Sequence, residues 1–179
     1  SIEFFEKLKK HKKVTVKDAI SELYALEKKI EKKLNGKLDN DYIKYLRKKN
    51  SKVLNHDIVY PAKSTIEKIK YVKQGENWQS IPIKLFKNNR NNRHSSAFKR
   101  LKEDDFSVTI DTGNAHSNHF HPIYNRIPTP REAARIQSFT DNFEFIGSRT
   151  SQYRQIGNAV PPLLAKEIAK NFKKVILNK

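Results

Sequence analysis

The last segment of the chain constrains its folding most, because it carries an apolar stripe that other surface must cover. From Pro161 to about Ile176 the sequence predicts a helix with apolar side chains at helical spacing. These side chains belong to Leu164, Ala165, Ile168, Ala169, Phe172 and Ile176. Hydrophobic residues make up only 36% of the 179-residue chain. We therefore expect this stripe to need apolar surface from beyond the chain.

The charge balance predicts a polyanionic partner. The chain has 37 Lys and Arg against 19 Asp and Glu, a net charge of +18. Such an excess favours nucleic acid over an anionic membrane, although a general bias towards Lys is an alternative explanation. The basic residues are also unevenly spread, since no acidic residue occurs between Asn77 and Lys102. The basic residues of this stretch are Lys84, Lys87, Arg90, Arg93, Lys99, Arg100 and Lys102.

This basic stretch is the predicted DNA-contacting surface. Like charges repel one another until phosphates neutralise them, and the affinity of such contacts falls steeply with salt. Arg90, Arg93 or Arg100 are candidate base readers, because a guanidinium can bind guanine with two hydrogen bonds. A solvated loop is the other interpretation.

The absence of cysteine narrows the chemistry further. Without sulfur the 179 residues can form no disulfide, thiolate metal site or thiol nucleophile. His116, His119 and His121 lack a flanking carboxylate in a helical frame, so no metal site is predicted there. No carboxylate and Lys set typical of a nuclease is present either. No apolar stretch reaches the roughly 18 residues that span a bilayer, and no signal-peptide core is present, so we expect no membrane partner and a cytoplasmic location.

Several helices and one strand are predicted from local patterns. "VTVKDAISELYALEKKIEKKL" favours a helix capped by Thr15 with Asp18, and "DYIKYLRKK" and "STIEKIKYV" favour two short ones. "FSVTID", residues 106–111, alternates like a strand. In "RIPTPREAARIQSF" Thr129 is the predicted N-cap, with Glu132 completing a capping box, and the helix should end near residues 140–141. "RQIGNAVPP" is predicted to be a loop before the last helix.

Two of these blocks resemble the C-terminal signature motifs of DNA (cytosine-5) methyltransferases. The family's ninth motif is similar to "RIPTPREAARIQSFTD", residues 126–141, and its tenth is similar to "QIGNAVPP", residues 155–162. Both occur in the family's order and spacing. Pro128 and Thr140 depart from the usual apolar residue and the usual Pro.

This resemblance implies roles for particular residues. In the family the tenth-motif loop forms part of the S-adenosylmethionine pocket, so Asn158, Ala159 and Val160 would contact the methyl donor and Gly157 would permit close backbone approach. Residues near the extruded nucleotide would lie in the target-recognition region. These DNA-contacting candidates are Thr109, Ile110, Thr112 and Gly113, beside the basic residues 84–102. Arg126, Thr129 and Glu132 would organise the structure.

The same resemblance implies an incomplete enzyme. The family's Gly-rich cofactor loop, Pro-Cys nucleophile loop, cytosine-binding Glu and Arg-x-Arg pair are all missing here. We therefore expect an α+β chain, with a DNA-binding region over residues 1–125 and a C-terminal region over residues 126–179 that docks on a Rossmann-like catalytic domain. That domain would be a separate subunit or a missing segment. Restriction–modification, double-stranded DNA as the partner and a bacterial, nucleoid-associated location are implied as well.

A non-catalytic DNA-binding protein derived from the recognition region is the alternative. The two hypotheses differ at the last helix, because a free-standing protein should bury Leu164, Ile168 and Phe172 internally or in a homodimer. A part that docks on a catalytic half should expose them until its partner binds. The recognition sequence cannot be read from the chain, because loop contacts and DNA deformation decide it.

Overall fold

The fold is mixed, with short helices and one small sheet. The computed structural model describes residues 12–28, 40–47, 53–86, 94, 96–112 and 119–177. The helices are α1 (Val16–Ile20), α2 (Asp41–Leu46), α3 (Lys63–Ile69), α4 (Pro130–Ile136), α5 (Arg149–Asn158) and α6 (Pro162–Leu177). Three-residue-per-turn helices cover Ser21–Lys28, Trp78–Ser80 and Ile83–Leu85, and the strands are β1 (Lys99–Arg100) and β2 (His119–Phe120). This mixture agrees with the predicted α+β class.

The first helix begins as its sequence predicts. The Thr15 hydroxyl accepts a hydrogen bond from the Asp18 amide at 3.1 Å, and the Asp18 carboxylate accepts one from the Thr15 amide at 2.9 Å. This capping box satisfies two amides that a helix start leaves unpaired. The α-helix covers only five residues, however, and the chain tightens into a 3₁₀ helix from Ser21. The predicted remainder of that helix lies partly outside the described residues.

The sheet forms where the sequence did not predict it. β1 and β2 pair in parallel, with Lys99 opposite His119 and Arg100 opposite Phe120. The strand predicted for "FSVTID" was wrong: residues 106–110 are irregular in secondary structure, and no described strand pairs with them. Alternation alone does not make a strand, because backbone hydrogen bonds need a neighbouring strand.

The largest core cluster joins the two predicted regions. It combines Ile110 with residues of α4, α5 and the segment between them. Its buried members are Ile110, Ala133, Ala134, Phe139, Phe145, Tyr153 and Ile156. A second cluster packs α1 against Leu101, with Ile136 at its margin. Residues on both sides of the predicted boundary at 125 and 126 therefore share one hydrophobic interior.

The C-terminal helices differ from prediction in two places. α4 ends at Ile136, earlier than the predicted residues 140–141, because Ser138 adopts a left-handed conformation with φ of 65°. Gly157 and Asn158, which were predicted to lie in a loop, form the last turn of α5. The final helix was predicted correctly, and the Leu163 amide near its start donates to the Ser138 hydroxyl at 3.1 Å.

The last helix exposes much of its apolar stripe. The side chains of Leu164 and Phe172 are 46% and 54% exposed, and Ile168 is partly buried. Apolar side chains at this exposure on one helix form a surface that a partner can cover. None of the helices among the described residues has the length and apolar character needed to cross a membrane.

Candidate functional site

The site is held together by α4, whose start is fixed by buried charges. Arg126 places two guanidinium nitrogens 2.7 and 2.8 Å from the two carboxylate oxygens of Glu132, and both side chains are fully buried. The same carboxylate accepts the Thr129 amide at 2.7 Å, and the Thr129 hydroxyl accepts the Glu132 amide at 3.1 Å. One carboxylate therefore caps α4 and anchors the segment that precedes it.

His121, which directly follows β2, completes this network. Its Nδ1 accepts the amides of Ile123 and Tyr124 at 3.1 and 3.0 Å, which places the ring proton of the neutral form on Nε2, 3.5 Å from a Glu132 oxygen. Burial alone disfavours the charged Glu132 carboxylate. The hydrogen bonds from Arg126 and His121 nevertheless hold the pKa of Glu132 far below its usual range. His121 is thus a buried structural group.

Two further arginines on α4 connect it to distant segments. Arg131 donates to the carbonyl oxygens of Leu54 and Phe143 at 2.7 and 2.5 Å. Arg135 pairs with both oxygens of Asp141 at 2.9 and 2.6 Å and with Glu22 at 3.0 Å. All these partners lie outside α4, so the helix organises its surroundings through its guanidinium groups.

The predicted cofactor loop follows directly from α5. Asn158 ends that helix, Ala159 is partly buried and Val160 is 59% exposed. Gly157 makes the close backbone approach expected of it, but its neighbour is protein: a Cβ there would lie 2.5 Å from the Asp111 carbonyl carbon. The exposed side chains of this segment therefore belong to residues after Gly157, namely Asn158 and Val160.

The predicted DNA-contacting residues separate into exposed and buried groups. Lys84, Thr109 and Thr112 are exposed, whereas Lys99 is partly buried and donates to the Gly75 carbonyl at 2.5 Å. Ile110 is only 3% exposed and its side chain belongs to the main core. Lys87, Arg90, Arg93 and Gly113 lie outside the described residues.

The structure argues against the prediction that Arg100 reads a base. The Arg100 side chain is buried in β1 and donates to the carbonyls of Ile69, Val72 and His121 at 2.9, 2.5 and 3.0 Å. Burial lowers its pKa, although the group stays charged at neutral pH. Arg100 is therefore a structural residue, because its donors are already used inside the protein.

Two of the predicted segments line the same groove. A cavity of about 420 Å³ is bounded by Thr109 and Ile110 on one side and by Gly157, Ala159 and Pro161 on the other. Gln137 also lines it, and sequence reasoning missed that residue. The available signal was its amide side chain between the apolar residues Ile136 and Phe139 of the signature block. Among the described residues no group of three acidic or histidine side chains is arranged to hold a metal ion.

The family to which the chain belongs is shown by a match over nearly its whole length. A family model for C-5 cytosine-specific DNA methylases matches residues 3–174. This chain belongs to the C-5 cytosine-specific DNA methylase family. The match includes both signature blocks and the region between α1 and α4.

Named relatives support this family assignment and differ in length. The chain is 39% identical over 129 residues to the type II methyltransferase M1.HphI of Haemophilus parahaemolyticus, covering 72% of this chain and 33% of that protein. It is 33% identical over 147 residues to M.DdeI of Desulfomicrobium norvegicum, covering 74% and 35%. It is 36% identical over 141 residues to the type II methyltransferase M.AquIB of a Picosynechococcus species, covering 73% and 94%. The chain thus spans about a third of the first two relatives and nearly all of the third.

Proposed function

We propose that this chain is the C-terminal, target-recognising part of a DNA (cytosine-5) methyltransferase. It binds duplex DNA and forms one wall of the S-adenosylmethionine pocket. The observation that supports this proposal is the shared groove, where Thr109, predicted to lie near DNA, and Ala159, predicted to contact the methyl donor, line a single cavity. A methyl donor and an extruded base must meet within bond-forming distance, and segments on one groove can bring them together.

The catalytic thiolate must come from another stretch of polypeptide. Cytosine C5 becomes nucleophilic only after a nucleophile adds at C6, and this family uses a cysteine for that step. The 179 residues contain no cysteine. The match to 94% of M.AquIB supports the proposal, because a chain of this extent occurs there as a protein of its own.

The loop after α5 suits one side of the methyl-donor pocket. Asn158 offers an exposed carboxamide and Val160 an exposed apolar side chain. S-adenosylmethionine presents both hydrogen-bonding and apolar surfaces, so this pair fits part of its outline. The cofactor supplies the methyl group, and the loop contributes to its binding and orientation.

The exposed face of α6 is the proposed docking surface for the catalytic half. Leu164 and Phe172 lie on this helix and are about half exposed. This exposure supports a docking surface and argues against burial of the stripe inside the single chain. The net charge of +18 favours DNA as the second partner.

Two measurements on the purified chain test the proposal. Fluorescence anisotropy with a labelled duplex should report binding whose affinity falls steeply as salt rises. Tritium-labelled S-adenosylmethionine should transfer no methyl group to DNA until a catalytic half carrying a Pro-Cys loop is added and a 1:1 complex forms. Methyl transfer by the chain alone, or a lack of DNA binding, would contradict the proposal. DNA binding together with burial of α6 in a stable homodimer would favour the non-catalytic alternative.

A further inference from the structure

Gln137 connects the DNA-facing segment to the helix before the cofactor loop. Its side-chain Nε2 donates to the carbonyl oxygen of Ile110 at 3.3 Å and to that of Ile156 at 2.8 Å. The Gln137 side chain is largely buried, and the Ile156 carbonyl also accepts the Ala159 amide at 3.3 Å. One carboxamide thus joins two segments that lie 27 and 19 residues away along the chain.

Gly157 brings the same two segments into direct backbone contact. An added Cβ would lie 2.5 Å from the Asp111 carbonyl carbon and 2.6 Å from the Thr112 nitrogen. No real side chain tolerates such distances from backbone atoms. The last turn of α5 therefore lies directly against residues 111–112, and only glycine permits this approach.

Hydrophobic packing makes the connection rigid. Ile110 and Ile156 belong to the same buried cluster, and Ala159 packs at its margin. Close-packed interiors transmit small displacements because they contain few voids to absorb them. These three contacts act together to fix residues 109–112 relative to residues 156–160, so we expect the loss of one to weaken the whole connection.

We propose that Gln137 and Gly157 are positioning residues that couple DNA binding at Thr109 to the conformation of the Asn158–Val160 loop. The inference rests on the proposed function, because it takes one segment as DNA-facing and the other as cofactor-facing. A ligand that orders one segment orders the other, so DNA prepares the wall that receives the methyl donor. Linkage makes the effect reciprocal: the methyl donor should strengthen DNA binding by the same factor.

Hydrogen–deuterium exchange on the full chain, with and without a 20-base-pair duplex at low salt, tests this coupling. In the wild type, DNA should slow amide exchange at residues 109–112 and also at residues 158–160, by about fivefold or more, the lower end of usual coupling factors. In Gln137→Met, which keeps the side-chain volume and removes both donors, protection at residues 109–112 should remain and protection at residues 158–160 should be lost.

Gln152→Met is the matched control. The Gln152 carboxamide, on α5, donates to the Gly147 carbonyl just before the same helix and joins no distant segment, so this variant should behave like the wild type. Gly157→Ala disturbs the same contact from the other side and should also abolish the transmitted protection, which gives a second variant if Gln137→Met does not fold. If Gln137 only stabilised the fold, Gln137→Met would lower the overall stability. DNA-induced protection at residues 109–112 and at residues 158–160 would then change together.

The outcomes separate the two proposals. DNA-induced protection at residues 109–112 with none at residues 158–160 in the wild type overturns the coupling and leaves DNA binding intact. Equal protection of both segments in Gln137→Met also overturns it. A wild-type chain that does not bind DNA contradicts the proposed function, and the coupling fails with it.

Discussion

Arg126 and Glu132 form a fully buried, doubly hydrogen-bonded ion pair at the start of α4. The two residues are six positions apart in the ninth signature block, and Glu132 also caps the helix by accepting the Thr129 amide. The buried Glu132 carboxylate therefore both neutralises Arg126 and caps α4.

Removing one partner of the pair should destabilise the fold strongly. Arg126→Ala leaves the Glu132 carboxylate buried without its main counter-ion, a change that usually costs about 3–5 kcal/mol of unfolding free energy. Urea denaturation followed by circular dichroism measures this loss. Lys44→Ala is the control, because Lys44 pairs with Asp41 on an exposed surface and its loss should leave the urea midpoint unchanged. A similar midpoint for both variants would show that the buried pair contributes little.

The pair also predicts how stability depends on pH. Although burial opposes its charge, hydrogen bonds from Arg126 and His121 hold the pKa of Glu132 far below the ordinary value of 4.5. The unfolded chain therefore takes up this proton at a higher pH than the folded chain does. The contribution of Glu132 is complete above about pH 4.5 and is lost as the pH falls from there towards the folded pKa. In urea titrations from pH 6 to pH 3, Glu132→Gln should flatten the decline; an unchanged slope would contradict the assignment.

Substitution of Gly157 should separate two backbone segments. Gly157→Ala places a methyl group 2.5 Å from the Asp111 backbone, and the forced shift should cost about 1–3 kcal/mol as in other overpacked sites. Thermal unfolding followed by circular dichroism measures it. Arg154→Ala, an exposed position on the same helix, should change stability by less than about 0.5 kcal/mol. Wild-type stability in Gly157→Ala would mean that the segments lie farther apart.

Loss of the charge at Lys84 should affect DNA binding, whereas loss of the charge at Arg100 should affect stability. Lys84→Ala should preserve stability, weaken DNA binding and lower the slope of log affinity against log salt by about 1, as expected for one phosphate contact. Arg100→Ala should instead lower the melting temperature, because carbonyls of Ile69 and Val72 lose their buried donor. Anisotropy titrations at several salt concentrations, together with melting curves, distinguish the two. Normal stability in Arg100→Ala would restore it as a DNA-contacting candidate.

The exposed face of α6 should be dispensable for folding and required for association. Phe172→Ser removes apolar surface that is 54% exposed, so the unfolding free energy should change by less than about 0.5 kcal/mol. Binding to a catalytic half, measured by sedimentation velocity, should weaken at least about tenfold, since a large aromatic side chain at an interface centre commonly contributes 2 kcal/mol or more. A severe loss of stability would show that this face is already covered in the single chain.

Local sequence patterns predicted the helix starts well. The Thr15–Asp18 and Thr129–Glu132 capping boxes each need only four residues, so both can be recognised without knowledge of the rest of the fold. The final helix was predicted correctly for a similar reason, because its apolar repeat is long and continuous. The resemblance to the methylase family depended on two contiguous blocks.

Features that depend on distant residues were not predictable from those patterns. Arg100 looks like one charge in a basic run, and only the fold brings the Ile69 and Val72 carbonyls to it. α5 was missed because few of its residues are apolar and its Gly157–Asn158 end is typical of a loop. Residues 106–110 alternate like a strand, but among the described residues no neighbour provides a ladder.

The hydrogen bond between Ser138 and the Leu163 amide has an evolutionary consequence. The turn that ends α4 and the first turn of α6 are fixed together, although 25 positions separate them in the chain. A segment whose two ends meet can gain or lose residues at its outer bends while its base stays in place, because longer loops add little closure entropy. We therefore expect homologues to tolerate a change in length at the exposed residues 146–147 without a change in the direction in which the last helix leaves the domain.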